Sequence, residues 1–321
     1  MRLRVAVVYT AAESNHHNCT ANPHGAEQLN KTSIALKQAI EELGYEVHMI
    51  PGDFDLLRAL GQTNPDVVFN NCTGINDKSS QPQIAGMLEL SKFPFTGSGQ
   101  TAHVLALYKP LTKKVLLFHN VSTPGFGVVS KIGEPMPTNI SFPVIVKPEH
   151  EGSSIGISAK SVVNSPQELK EVVEEVITNF RQPALIEEFI SGREFTVGVL
   201  GGEQPRILPP VEILFNEGSG FYSQAIKSQD GAQTKCPADI LPELQKRIEA
   251  TVLGAFKALE CRDYARIDVR LDADGIPYVI DVNTLPGLEP GYSDYPKAAK
   301  AAGIEFKELV KHLLHSALAR K

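Results

Sequence analysis

The stretch Tyr264–Gly287, YARIDVRLDADGIPYVIDVNTLPG, decides the fold. Two apolar-alternating runs flank Asp272-Ala273-Asp274-Gly275, and Asp-Gly between such runs is a strong hairpin signal. Successive strand side chains point to opposite faces. Ile267, Val269 and Leu271 therefore share one face of the first strand, and Arg266, Asp268 and Arg270 the other. On the return strand Val279 is expected on the face of Asp281 and Asn283. Burying one face brings Asp268, Asp281 and Asn283 together at one end. Three oxygen ligands plus water suit Mg²⁺, which takes a few carboxylates and completes its shell with solvent and phosphate. A hairpin without a site would scatter its acids, as Asp272 and Asp274 do in the turn. On the hairpin alone both readings stand.

The 321 residues are enough for two or three domains, each with its own core. A hydrophobic content of 42% and a charged content of 21% describe an ordinary globular chain. The net charge of -6 excludes a general basic field for nucleic acid, though not a local positive pocket. No apolar run approaches the roughly 20 residues that span a bilayer, so no membrane association is expected. The opening MRLRVAVVYT reads as a first buried strand rather than a signal peptide. Cys19, Cys72, Cys236 and Cys261 are far apart and form no CxxC pair, which suits reduced thiols and a cytoplasmic location. The spacing of His16, His17, Cys19 and His24 matches no common metal site; a polar loop is expected there.

Val5–Tyr9 is a continuous apolar run, as in a parallel sheet covered on both faces. A polar loop through Asn15–Gly25 precedes a helix with Leu29, Leu36, Ile40 and Leu43 at helical spacing, ended by Gly44. Strands follow at Glu46–Ile50, Val67–Asn70 and, shorter, Phe93–Phe95. This rhythm argues a doubly wound α/β domain over residues 1–97, with ligand loops at Tyr9–Glu27 and Asn70–Gly74. Residues 98–120 read as one helix, on which Lys109, Lys113 and Lys114 would ordinarily be solvated. Phe142–Pro148 is a buried strand carrying Lys147, and Gly152-Ser153-Ser154-Ile155-Gly156 is a small-residue loop whose N–H groups can approach a phosphate. It is not a Walker A sequence. Ser165, Pro166 and Glu168 announce a helix with a capping box. Leu185–Glu188 is a strand ending in Glu187 and Glu188, which could bind an adenine amino group or a ribose, or face solvent. Phe215–Cys236 is glycine-rich and aperiodic, as a lid or a mobile surface loop would be, and carries Lys227 and Lys235. Amphipathic helices close the order, one around Ile248–Leu259 and one around Phe306–Leu318.

Together these pieces resemble the ATP-grasp superfamily and, within it, the D-alanine–D-alanine ligase-like branch. The segments that carry the likeness are FPFTGSG (93–99), FPVIVKPEHEGSSIGIS (142–158), ALIEEFISGREFTVGVL (184–200), KCPADI (235–240), the hairpin, and AAKAAG after it. The resemblance implies an α/β fold, α+β overall. An N-terminal doubly wound domain (1–97) would precede two α+β domains (98–187 and 188–321) that sandwich ATP. It implies Lys109 and Lys147 as phosphate ligands, Ser153, Ser154 and Gly156 as the glycine-loop roof, and Glu187, Glu188 and Glu194 as adenine and ribose contacts. Lys227 corresponds to the lid lysine, Arg266 to the arginine that holds the acceptor, and Asp268, Asp281 and Asn283 to the ligands of two Mg²⁺ ions, with Mn²⁺ an alternative. Gly287 takes the place of a substrate-holding N–H, and Glu27 resembles the acid that receives the first substrate's ammonium. Homodimers are common in this branch.

The implied chemistry is attack of a carboxylate on the γ-phosphoryl group of ATP, then attack of an amine on the acyl-phosphate, giving an amide. Lys147, Lys227, Arg266 and the metal ions would offset the repulsion of two anions. Closure of the lid would protect the acyl-phosphate from water. Departures fall mostly on the substrate side, with one at a metal position. Asp281 stands where the branch usually has Glu, Ser228 where its D-alanine ligases have Tyr, and AAESNHH and Asn70–Gly74 replace two substrate motifs. The serine expected after Gly287 is displaced to Ser293. D-alanine–D-alanine ligation is the default expectation. The alternative is another amino-acid-like pair, as in secondary-metabolite or mycosporine-type ligation. A phosphotransferase would need one acceptor rather than two, and a non-catalytic nucleotide module would need fewer of these charges.

Overall fold

The computed structural model describes residues 2–11, 23–75, 80–151, 156–202, 204–215 and 233–320. The histidines and cysteine at 16, 17 and 19, the glycine-loop serines Ser153 and Ser154, and Lys227 with Ser228 lie outside them. The strands are β1 Arg4–Tyr9, β2 Glu46–Pro51, β3 Val67–Asn71, β4 Phe126–Val129, β5 Val144–Pro148, β6 Val162–Val163, β7 Ala184–Glu188, β8 Glu194–Leu200, β9 Arg206–Ile207, β10 Val211–Leu214, β11 Gln233–Lys235, β12 Tyr264–Leu271 and β13 Pro277–Asn283. The helices are α1 Pro23–Glu42, α2 Leu56–Thr63, α3 Gln81–Ser91, α4 Gln100–Leu107, α5 Lys109–Phe118, α6 Pro166–Phe180, α7 Pro242–Ala258, α8 Asp294–Ala301 and α9 Phe306–Ala319.

Three sheets organise these elements. The first is parallel, in the order β2-β1-β3. Val5, Ala6, Val7 and Val8 are all buried, which is why β1 reads as an unbroken apolar run. Phe95 reaches this sheet through a single bridge to Val68, so the expected fourth strand is one residue deep. Its connection direction reverses between β1 and β3, the place where such sheets bind ligands. One face of this sheet is closed by α9. Leu309, Val310, Leu313 and Leu314 share a core with Val5, Val7, Leu36, Ile40, Val67 and Phe69.

The second sheet runs β4-β7-β5-β6 and the third β11-β10-β8-β12-β13, with β9 on β8. In the third, Ile267, Val269 and Leu271 pack with Phe195, Val197, Val279, Val282 and the α7 stripe Ile248, Val252 and Phe256. Burial of each such side chain contributes about 1.5–3 kcal/mol. The expected parity of β13 is corrected here. Asp268 pairs with Asp281 but Val269 pairs with Val279, so Ile280 is an extra residue. The bulge turns Val279 into the core beside Val282 and leaves Asp281 and Asn283 on the opposite face.

Three further expectations are corrected. The helix expected over 98–120 breaks at Tyr108, which is extended (φ -87, ψ 92), and restarts with Pro110 in its first turn. At α6 Ser165 caps Glu168 N–H at 3.3 Å, but the Glu168 carboxylate accepts from Asn164 N–H at 2.9 Å rather than from the cap residue. The end of the aperiodic stretch is structured, since Gln233–Lys235 forms β11 against β10. Replacing Ser165 with Ala is expected to cost about 1 kcal/mol in urea unfolding, the usual effect of losing such a cap.

Asp263 ties the first and third sheets together. It is buried, sits at φ 54, and accepts hydrogen bonds from Gly97 N–H (2.7 Å), the Ser316 hydroxyl (2.7 Å) and the Arg320 guanidinium. Arg320 also donates to Phe95 O at 2.6 Å, and Arg262 N–H to Ser98 Oγ at 3.1 Å.

Candidate active site

The site is built on the face of β8, β12 and β13 turned away from the α7 core. Alternation puts Arg266, Asp268 and Arg270 there from β12, Glu194 and Thr196 from β8, and the bulge adds Asp281 and Asn283 from β13. Arg266 grips Asp268 bidentately, at 3.0 and 2.9 Å. The Thr196 hydroxyl and the Asn283 amide (3.3 Å) donate to the same carboxylate. Burial alone would make Arg266 easier to deprotonate; Asp268 outweighs that and holds the guanidinium firmly charged. Two carboxylates and a carboxamide on adjacent strands are hard oxygen donors, so this set fits Mg²⁺. Among the described residues no three His, Cys, Asp or Glu side chains converge as a metal site, so phosphate oxygens and water would complete the shell.

Four residues along β12, about 13 Å at roughly 3.3 Å per residue, separate Arg266 from Arg270. At that far end Arg270 Nε stands 3.6 Å from Glu194 and its NH2 donates to Gly192 O at 3.1 Å. Its guanidinium lies over the rings of Phe189 (4.8 Å) and Phe215 (5.4 Å). Burial pushes the Glu194 carboxyl up to about 7 despite Arg270.

The second sheet supplies the lysines. Lys147 on β5 lies 2.6 Å from Glu187 on β7, and Lys113 on α5 lies 2.8 Å from the other oxygen of the same carboxylate. Lys113 also donates to Thr123 Oγ1 at 2.9 Å, and Thr123 to Val279 O at 2.8 Å. Lys113 and Glu187 are each 2% exposed, so the expectation that Lys113 is a solvated helix charge is wrong. Burial pulls Lys113 down to about 8 against the attraction of Glu187. Burial would raise Glu187, but its two ammonium neighbours outweigh it and hold the carboxyl below its ordinary value. Lys109 reaches Glu151 O at 2.6 Å and stands 3.9 Å from Asp281. Lys109, Lys113, Thr123 and Asp281 border one small cavity.

The remaining expected site residues are dispersed around this centre. Glu188 accepts from Ser141 N–H at 3.0 Å. Gly156 is held at φ 79, and a Cβ there would stand 2.8 Å from Pro148 and 2.9 Å from Phe180, so the end of the glycine loop admits no side chain. Gly287 meets Ser293, whose Oγ would be 2.9 Å from an added Cβ and accepts from Glu289 N–H at 3.2 Å. Glu27 lies in the second turn of α1, which begins at Pro23, and is paired with Lys31 at 2.8 Å on an exposed face. Its hydrogen bond to Glu27 raises Lys31. At the β1/β3 crevice the Thr10 hydroxyl is 3.1 Å from that of Thr73 and accepts from Thr73 N–H at 2.8 Å.

The residue that sequence reasoning missed is Lys113. The available signal was its i, i+4 spacing from Lys109, which puts both on one helix face while Lys114 points to solvent.

Comparison with known proteins shows the family. Residues 119–315 match the family described as D-ala D-ala ligase C-terminus. The chain is 39% identical over 295 residues to the D-alanine–D-alanine ligase of Syntrophotalea carbinolica, covering 91% of this chain and 92% of that protein. It is 31% identical to the uncharacterized protein y4sG of Sinorhizobium fredii, over 99% of this chain and 98% of that one. The D-alanine–D-alanine ligase of Bacillus anthracis superposes with a TM-score of 0.78 at 25% identity, covering 99% of this chain and 98% of that one. Its complex with ATP gives a TM-score of 0.77 at 24% identity over the same shares. From the hairpin carboxylates, the lysines that face them and these relatives it follows that the chain belongs to the D-alanine–D-alanine ligase family, ATP-dependent ligases of the ATP-grasp superfamily.

Proposed function

We propose that this enzyme joins two amino acids through an acyl-phosphate, with D-alanine in both positions as the leading pair. The observation that supports this best is the single sheet face that presents Arg266, Asp268, Asp281 and Asn283, with Lys109 3.9 Å from Asp281. Residues 1–97, 98–187 and 188–321 act as three lobes, with ATP between the second and third. Lys109 and Lys147 hold its phosphates, and Glu194 and Glu188 border its nucleoside. Mg²⁺, held by Asp268, Asp281 and Asn283, supplies charge neutralisation to the phosphates. The first substrate's carboxylate oxygen attacks the γ-phosphorus, the bond to the bridging oxygen breaks, and ADP leaves. The second substrate's amine attacks the acyl carbon, losing a proton, and phosphate departs. Arg266, already fixed by Asp268, needs no reorganisation to stabilise negative charge on the reacting acyl group. Gly287 N–H orients the substrates, Glu27 receives an ammonium, and Lys227, Ser153 and Ser154 close over the phosphates.

A different amino-acid pair is favoured by one set of contacts. The Ser293 hydroxyl already accepts from Glu289 N–H, and Thr10 and Thr73 bond one another at the crevice where the branch carries other motifs. Phosphate release from Mg-ATP over a panel of D- and L-amino acids, singly and in pairs, decides between them. D-alanine alone should support turnover and yield a dipeptide by mass. Turnover only with another pair would replace D-alanine, and turnover with a single acceptor and no amine would make the enzyme a phosphotransferase.

A further inference from the structure

We propose that Lys113 is a positioning residue for the nucleotide: it supplies the second positive charge that keeps Glu187 from neutralising Lys147. The inference rests on the ATP-dependent reading above and names a residue that reading did not use. Glu187 sits mid-sheet, opposite Ile145 on β5 and Phe126 on β4, and gives one oxygen to each lysine. A Lys147–Glu187 pair by itself carries no net charge and would pull weakly on a phosphate. With Lys113 the group of two ammonium ions and one carboxylate carries one net positive charge, in surroundings where screening is weak.

Lys113 itself is too buried to touch a ligand, so its effect passes through Glu187. Its place is keyed to the hairpin, because Thr123 links it to Val279 O, two residues before Asp281. The charged groups around it are Glu187, Lys147, Asp281 and, on its own helix, Lys109. Burial lowers this ammonium to about 8, so the net charge beside Lys147 is lost on modest alkalinisation.

The test is calorimetric titration of the full chain with ADP, which needs no amino-acid substrate. Lys113→Met should weaken ADP binding roughly ten- to hundredfold. Lys113→Met combined with Glu187→Gln restores one net positive charge and removes the unmatched buried acid. It should fold, and should bind ADP at least about threefold more tightly than Lys113→Met. In the unmodified protein ADP affinity should fall as pH rises through about 8, and in the double variant that fall should vanish. A double variant as weak as Lys113→Met, or a flat profile in the unmodified protein, overturns the inference and makes Lys113 a structural tie only. Failure of the unmodified protein to bind ADP would instead overturn the ATP-dependent reading, before any variant is made.

Discussion

Asp281→Asn is expected to lower turnover by about a thousandfold or more while leaving the melting temperature unchanged within a degree or so. The two halves of this result have separate causes. Asp281 is partly exposed, and its ionic neighbour Lys109 keeps its bond to Glu151 O, so the change strands no buried charge. Folding therefore loses only a weak, solvent-screened attraction. Catalysis loses one of two carboxylates that face each other across β12 and β13, and with it the negative charge that would fix a divalent cation against the phosphates. Phosphate release at saturating Mg-ATP, measured beside a thermal melt, separates the two effects. Turnover near that of the unmodified enzyme would end the metal assignment. Asp281→Glu, one methylene longer, should retain activity to within about tenfold, since the charge stays and only the spacing moves.

The second large effect is on stability. Asp263→Ala should cost about 2–3 kcal/mol in urea unfolding. Its carboxylate is the common acceptor for Gly97 N–H, Ser316 and Arg320, and its removal leaves the Arg320 guanidinium without its anion. The backbone adds to the cost, because alanine is strained at φ 54 whereas asparagine tolerates it. Asp263→Asn should accordingly be the milder change, keeping an oxygen acceptor and the local conformation. A loss below about 1 kcal/mol for the alanine variant would show that the first and third sheets are held together elsewhere.

The elements most legible in the sequence were those with one dominant periodicity. Val5–Val8 read as a buried parallel strand because both faces are covered, and α6 read from its Ser165-Pro166 start. The hairpin was legible from Asp274-Gly275 and from the alternation of β12. Its return strand was not, because Ile280 shifts the register and period-2 reading carries Val279 to the wrong face. Helices α2, α3 and α8 and strands β4, β6, β9 and β10 were missed, being set by what packs on them rather than by their own pattern. At the site, Asp268, Asp281, Asn283, Lys147 and Arg266 stood out because chemistry-bearing residues sat at regular strand positions. Lys113 did not, since a lysine among helix residues looks the same whether it meets water or a carboxylate from a strand 74 residues later. Burial of a charge is a tertiary fact, and only Glu187 reveals it.

The closing of the first sheet by α9 bears on how the protein is made. On the ribosome β1, α1 and β3 emerge well before α9, so Val5, Val7 and Phe69 find Leu309, Leu313 and Leu314 only after every other described element has been synthesised. Until then that apolar surface is open to water, to chaperones and to other nascent chains. A translation product stopped ahead of residue 306 would carry the whole hairpin and its acids, and would still leave one face of β1 without part of its cover.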